Sequence, residues 1–333
     1  MKTKDVVLSG IRATGRLHFG NFLGAVQHFV RFQQNPDTSC MYFIADWHTL
    51  TTLDNPEELR GNSIEIVKDY LAAGLDPHRS IIYTQSSVPE IMELFWYLSM
   101  VQPLGELQTI PTFKDLVRKH PEKVSLGLLS YPVLMAADIL GPQATIVPVG
   151  QDQEPNVELA RDIARRFNER FGETFILPQM MKEMVKVPGL DGQKMGKSES
   201  GNAIDINMPI EMIRDRYMKK GVTDPKKIRK DNPGDPYNGC RSIYPVHEII
   251  TPGEKDGRGI ANRCLSGSLG CVECKQVLLE NISGMLRPFQ ERRQALENQG
   301  SHVEEVLHEG GKAARVIVSE TLERVRQKVG IRL

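Results

Sequence analysis

Apolar positions recur along this chain with two different periods, and the change from one to the other divides it. Val6-Val7-Leu8, Met41-Tyr42-Phe43-Ile44 and Ile81-Ile82-Tyr83 are short unbroken apolar runs, the pattern of strands buried on both faces. Between the first two, Phe22, Leu23, Val26, Phe29 and Val30 recur at helical spacing. Residues 59 to 75 read as a second helix, with Asp54-Asn55-Pro56 at its start and Gly74 near its end. This β-α-β-α-β order predicts a parallel sheet with helices on its faces. Ligands of such sheets gather at the carboxyl ends of the strands. From about 89 to 140 the pattern is mostly helical, as though a helical insert splits the sheet. Residues 145–149 then restore a strand and 157–167 a helix. Beyond about Asp205 only helical periods remain, over 208–220, 277–296 and 313–329. The expectation is an α/β domain over 1–204 followed by an all-helical domain over 205–333.

Composition narrows the function without naming it. A chain of 333 residues is long enough to bury a sizeable core. Lys plus Arg equal Asp plus Glu at 42 each, so an RNA partner would have to be held by local basic patches. No apolar run approaches the ~20 residues that span a bilayer. Met1-Lys2-Thr3-Lys4-Asp5 leads straight into a strand, with no apolar leader stretch. A cytoplasmic protein that does not enter membranes is expected. Five cysteines, an odd number, argue against a disulfide framework. Cys40 sits in an apolar strand and reads as core.

Two short motifs carry phosphate chemistry. Thr14-Gly15-Arg16-Leu17-His18-Phe19-Gly20-Asn21 lies between the first strand and the first helix. A helix N-terminus offers unpaired N–H groups and partial positive charge, so phosphate binds there readily. Gly20 allows close approach, and His18 and Asn21 can donate toward phosphate oxygens. Far downstream, Lys194-Met195-Gly196-Lys197-Ser198 follows the turn-rich Pro188-Gly189-Leu190-Asp191-Gly192. Two ammonium groups on such a loop would offset the charge that develops as pyrophosphate leaves ATP, with Ser198 adding a hydroxyl. Each motif alone is weak. Together, in this order, they resemble the two signatures of the class I aminoacyl-tRNA synthetases. That resemblance implies a Rossmann-like sheet and adenylate chemistry with ATP and Mg²⁺. The second motif departs from the family pattern at Gly196, where serine is usual.

The segment Tyr131-Pro132-Val133-Leu134-Met135-Ala136-Ala137-Asp138 bears on the second substrate. Steps of about 100° place Tyr131, Met135 and Asp138 within roughly 60° of one another on a helix. A carboxylate in so apolar a run needs a donor. An indole N–H would serve, and so would a nearby Arg or a helix N-terminus. With Val147-Pro148-Val149-Gly150-Gln151-Asp152-Gln153 and Ala45-Asp46-Trp47-His48, this segment resembles the bacterial tryptophanyl-tRNA synthetase family over nearly the whole chain. The resemblance implies that Asp138 accepts the indole N–H of L-tryptophan and Met135 packs on the ring. Tyr131 and Gln153 would face the ammonium and carboxylate, with His48 and Leu8 lining the pocket. Gly150, Gln151 and Asp152 would meet the ATP ribose and Val187 the adenine. Arg12, Ala13, Thr14, Gly20, Asn21, Lys194, Met195, Gly196, Lys197 and Ser198 would complete the ATP site. Arg12 stands where many relatives have glutamine. Tryptophan tRNA and a homodimer through the helical insert are also implied. The nearest competing family is tyrosyl-tRNA synthetase, whose phenol ligand needs a donor as well as an acceptor; Asp138 beside Met135 offers one acceptor and apolar bulk.

The remaining cysteines, Cys240, Cys264, Cys271 and Cys274, form C-x23-C-x6-C-x2-C. Four soft thiolates suit a [4Fe–4S] cluster or Zn²⁺. Only one pair is close, which leans toward iron and sulfur. A subset of the resembled family carries such a cluster near its anticodon-binding region. Lys219, Lys220, Lys226, Lys227, Arg229 and Lys230 would suit an RNA surface nearby.

Overall fold

The computed structural model describes residues 4–119, 121–181, 185–196, 201–253 and 259–331. Among them five strands form one parallel sheet in the order β3-β2-β1-β4-β5: β1 (Asp5–Ile11), β2 (Thr38–Ile44), β3 (Ser80–Thr84), β4 (Ile146–Val147) and β5 (Gln179–Met180). Leu8 pairs with Met41, Met41 with Ile81, and Val7 with Ile146. The order reverses between β1 and β4, so the topological switch point lies where these two strands end. Met41, Tyr42, Ile44 and Ile82 are essentially inaccessible, as strands covered on both faces require.

The helices of seven or more residues are α1 (Pro56–Ala73), α2 (Glu90–Ser99), α3 (Pro111–Lys119), α4 (Leu126–Leu140), α5 (Glu154–Phe171), α6 (Ile210–Lys220), α7 (Tyr244–Ile250), α8 (Cys271–Ala295) and α9 (Gly300–Val329). The α1 start is fixed by Asn55, whose side chain accepts from the N–H groups of Glu57 and Glu58. Among the described residues the expected insert is four α-helical pieces, including α2, α3 and α4, and a 3-10 turn at Pro121–Lys123. The helix expected after β1 is regular only in part: Phe22–Val26 is a π-helical turn between Phe19–Asn21 and Gln27–Phe32. No described helix is long and apolar enough to cross a membrane.

Two compact units emerge, and they divide the chain differently from a boundary at residue 204. The first comprises Met1–Arg16, His28–Met184 and Asn298–Leu333; the second comprises Leu17–Gln27 and Val185–Glu297. The C-terminal helix α9 therefore belongs with the sheet. Its Gly310 lies so close to β3 that a Cβ would sit 1.8 Å from the Ile82 carbonyl oxygen. Arg315 reaches Glu90 through Nε and Nη2 at 2.6–3.1 Å, and Arg326 pairs with Glu93 at 2.5–2.8 Å. In the second unit Phe22 packs edge-on against Phe289 of α8, with ring centroids 5.3 Å apart. Gln290 of α8 donates to the carbonyls of Ile206 and Met208.

Candidate functional site

In the first unit, α4 buries Asp138 to 3% exposure beside the carboxyl ends of β2 and β3. The required donors are present. His48 Nε2 lies 2.9 Å from Oδ2, and Gln85 Nε2 donates to Oδ1 at 2.9 Å and to Oδ2 at 2.8 Å. Gln85 Oε1 accepts in turn from the His48 backbone N–H at 3.3 Å. Within the chain the carboxylate is thus met by an amide and an imidazole, where the sequence offered an indole N–H or, failing that, an Arg or a helix N-terminus. Burial holds the Asp138 pKa above its ordinary 3.8, opposed by the bonds from His48 and Gln85. Tyr131 stands edge-on to His48, with centroids 6.1 Å apart, and Met135 packs half-buried against the core. The helical arithmetic did bring Tyr131, Met135 and Asp138 onto one face. Gln85 is not among the residues the sequence singles out; its position directly after a parallel strand, where ligands gather, is the one signal available.

Residues after β1 and β4 lie at the switch point of the same unit. Arg12 Nη2 donates to the hydroxyls of Thr51 at 3.1 Å and Thr52 at 2.5 Å, while its buried Nε has no hydrogen-bond partner. Burial lowers the Arg12 pKa and the nearby Tyr131 opposes that shift. Ala13 is anchored through its N–H to Thr49 Oγ1 and its carbonyl to Asn62. Thr14 is exposed, and Leu8 is a core residue at 1% exposure. After β4, Gly150 opens a 3-10 turn over Gln151–Gln153. Gln153 donates to Asp152 Oδ2 at 3.1 Å and accepts from Asn156 Nδ2 at 2.9 Å, which fixes its amide orientation. Gln151 and Asp152 are exposed.

The second unit holds most of the phosphate signatures. His18 caps the helical segment: its Nδ1 accepts from the Asn21 N–H at 3.2 Å, and Asn21 Oδ1 accepts from the His18 N–H at 3.3 Å. An accepting Nδ1 puts the proton of the neutral ring on Nε2, which is then a donor. The two motifs meet at Gly20. Its N–H points at Met195 Sδ, 3.2 Å away, and a Cβ there would lie 2.9 Å from His18 Nδ1 and 3.4 Å from Met195 Cβ. The segment before Lys194 folds back on itself, with a Pro188–Lys194 bridge and a bond from the Gly189 N–H to the Gln193 carbonyl. Lys194 is exposed, Val187 and Met195 are buried, and Gly196 is half-buried. Lys197 and Ser198 lie outside the described residues.

The four cysteines also belong to this unit. Cys240 and Cys274 are buried, and Cys264 and Cys271 are half-buried. Burial first, and then the charges of Cys264 and Cys271, raise the Cys240 pKa; burial likewise raises Cys264. Among the described residues, no group of three or more His, Cys, Asp or Glu side chains stands assembled as a metal site. Lys227 departs from its expected RNA role. It is 8% exposed, its ammonium donates to the Asn232 carbonyl, and its charge opposes the rise at Cys264.

Comparison of the chain and its fold with known proteins points to one family. Residues 2–287 match the sequence profile of the family described as tRNA synthetases class I (W and Y). The tryptophan–tRNA ligase of Deinococcus radiodurans is 40% identical over 329 residues, covering 97% of this chain and 98% of that protein. That of Thermotoga maritima is 37% identical over 329 residues, covering 98% and 99%. The crystal structure of tryptophanyl-tRNA synthetase from Campylobacter jejuni, complexed with ADP and tryptophan, superposes with a TM-score of 0.81 at 36% identity and covers 98% of this chain and 99% of that one.

Proposed function

The chain belongs to the class I tRNA synthetases of the W and Y family, and we infer that it is a tryptophan–tRNA ligase. It activates L-tryptophan with ATP to tryptophanyl-adenylate and pyrophosphate, then transfers tryptophan to its tRNA. The observation that carries the choice of amino acid is the buried Asp138 carboxylate. Oδ2 accepts from both His48 and Gln85, whereas Oδ1 accepts from Gln85 alone. Each carboxylate oxygen can accept about two bonds, so Oδ1 retains one acceptor site, which suits an indole N–H. Met135 supplies polarizable bulk for the ring. Tyr131, Gln153 and Arg12 then serve the ammonium and carboxylate; the position of Arg12 beside Tyr131 favours the amino-acid carboxylate over a phosphate. A site built around one polar ligand atom rejects an analogue lacking it by about 10⁴–10⁵.

Adenylate formation requires no side-chain nucleophile. The tryptophan carboxylate attacks the α-phosphorus of ATP while Mg²⁺-pyrophosphate leaves, so the protein contributes positioning and charge. His18 Nε2–H and Asn21 serve the phosphates, and Lys194 and Lys197 follow the leaving pyrophosphate. The contact between Gly20 and Met195 supports coupling of the two signatures, because it ties the lysine motif to the first helical turn. Gly150, Gln151 and Asp152 serve the ribose and Val187 the adenine. Residues 205–297 are assigned to anticodon recognition, with Lys219, Lys220 and Lys226 as candidate contacts. The assigned compartment is the cytoplasm. A homodimer through the insert is supported by exposed Met92 and Trp96 on α2, Met100 just past its end at the same spacing of four, and exposed Leu104.

The cysteine set is assigned to a [4Fe–4S] cluster, with zinc as the alternative. The donor chemistry fits. Cys240, Cys264 and Cys271 influence one another electrostatically, and Lys275 responds to Cys271, Cys240 and Cys274. Burial disfavours the free thiolates of Cys240 and Cys264, while the charge of Lys227 opposes that rise at Cys264; a bound cation would supply the missing compensation. The cluster would supply structure and RNA positioning. The test of the whole reading is ATP–pyrophosphate exchange with tryptophan and tyrosine side by side, followed by tRNA charging. Exchange should depend on tryptophan and not tyrosine; a chain that forms no adenylate from tryptophan refutes the assignment.

A further inference from the structure

Three threonines just after β2 meet the chain as it leaves β1. Arg12 Nη2 donates to Thr51 Oγ1 at 3.1 Å and Thr52 Oγ1 at 2.5 Å, and the Ala13 N–H donates to Thr49 Oγ1 at 2.9 Å. Each hydroxyl has given its own proton to a main-chain carbonyl: Thr49 to Ala45 at 2.7 Å, Thr51 to His48 at 2.8 Å and Thr52 to Thr49 at 3.4 Å. A hydroxyl has one proton, so toward Arg12 and Ala13 all three can only accept. Neutral acceptors hold the guanidinium without cancelling its charge, as a carboxylate partner would. Nη2 is thereby committed, whereas Arg12 Nε–H is buried with no hydrogen-bond partner in the structure. An orphaned buried donor is costly unless a ligand brings the acceptor. The same segment carries His48, whose Nε2 lies 2.9 Å from Asp138 Oδ2. Residues 46–52 therefore support both the carboxylate at the ring end of the pocket and a cation with a spare donor.

We propose that Thr51 and Thr52 are positioning residues for Arg12, leaving its Nε–H for the α-carboxylate of the amino acid, so that one segment matches both ends of the ligand. This assignment rests on the reading that the pocket takes tryptophan. Arg12 shares its unit with the pocket and lies near Tyr131, whose ring stands edge-on to His48. An indole amine without the carboxylate would occupy the ring end, leave Nε–H unpaired and bind less tightly. Loss of either threonine hydroxyl frees the guanidinium to rotate, so the carboxylate end of the ligand should suffer and the indole end should not.

The experiment uses the full chain in wild type, Thr51→Val, Thr52→Val, Thr51→Ser with Thr52→Ser, Arg12→Gln, and Thr51→Val with Arg12→Gln. For each, KM for tryptophan and for ATP is measured in pyrophosphate exchange. The inhibition constant of tryptamine, which keeps the indole and ammonium and lacks the carboxylate, is measured in the same assay. Each valine variant should raise the tryptophan KM by roughly 10-fold, the scale of a lost hydrogen bond to a charged group. Tryptamine inhibition and the ATP KM should stay at wild-type values. The double serine variant keeps both hydroxyls and should behave as wild type. In the Arg12→Gln background, Thr51→Val should add nothing further, because the two residues act through one contact. A tryptamine constant that moves as far as the tryptophan KM overturns the proposal, since the threonines would then only support the fold around His48. So does a change confined to the ATP KM, which would give Arg12 to a phosphate. If the valine variants do not fold, Arg12→Gln with an unchanged ratio of tryptophan KM to tryptamine constant overturns it instead. A wild-type chain without tryptophan-dependent exchange overturns the tryptophan reading, and this proposal with it.

Discussion

The ring-recognition pocket and the phosphate signatures are built by opposite means. Around Asp138 nearly every holding contact is between side chains: His48 and Gln85 meet the carboxylate, and all three residues are buried. Around Gly20 and Lys194 the holding contacts run through the backbone, as Phe19 N–H to the Ile204 carbonyl, Gly20 N–H to Met195 Sδ, and Gly189 N–H to the Gln193 carbonyl. The pocket commits its polar side chains before substrate arrives and keeps one acceptor site open. The signatures commit main chain and leave the Lys194 side chain exposed. The difference matches the tasks. Discrimination between ligands needs groups fixed against rearrangement, because an unpaired buried polar atom is what rejects the wrong ligand. Stabilising a departing pyrophosphate needs cations that act in the transition state.

If that division is correct, substitutions should separate kcat from binding. The largest effect is expected at Lys194→Ala, where kcat for pyrophosphate exchange should fall by about 10²–10³, the scale of losing one transition-state donor. The tryptophan dissociation constant measured by calorimetry should stay essentially unchanged. A matching loss of tryptophan affinity would break the comparison, because Lys194 would then belong to ground-state recognition. Next comes Asp138→Asn, which should weaken tryptophan binding by roughly 10²-fold, equivalent to about 3 kcal/mol for a bond to a charged acceptor. Here KM should carry most of the change. The asparagine amide would also turn protons toward Gln85 Nε2, His48 Nε2 or the indole, each already a donor. Equal tryptophan affinity in that variant removes Asp138 from recognition.

The two regions also differed in how far the sequence exposed them. Tyr131, Met135 and Asp138 were placed on one face by helical steps alone, because α4 runs unbroken from Leu126 to Leu140 even with Pro132 inside it. The His18 and Lys194 motifs could be located, but nothing local indicated that Met195 would contact Gly20 across 175 residues. Gln85 escaped for a related reason: its role depends on pairing with a carboxylate 53 residues away, and Gln85-Ser86-Ser87 reads as an ordinary polar loop. β5 is only Gln-Met, too short for any period to register. The helical period found over 313–329 marked part of α9, not its partner. Gly310-Gly311 in mid-helix was the available sign of a close backbone approach, since glycine there is otherwise unfavourable.

The smallest predicted effect tests the pocket most finely, because it follows one proton. Burial raises the Asp138 pKa above 3.8, and the bonds from His48 and Gln85 pull it back down. Indole recognition needs the ionised acceptor, so tryptophan affinity should decline as pH falls through the raised value, beginning above the range of an ordinary aspartate. The stability contribution runs the other way. With the native pKa above the unfolded one, the folded chain holds the proton more tightly, so that contribution is full at acid pH and is lost as pH rises through the native value. Gln85→Leu removes two bonds that favour the charged form, so the inflection in tryptophan affinity should move to still higher pH. Affinity at neutral pH should drop by about 10-fold, the scale of one or two net hydrogen bonds. Asp138→Asn should show no inflection from this group. An inflection that stays in place in Gln85→Leu would mean that the amide serves only to pack the strand end, and that Asp138 is oriented by His48 alone.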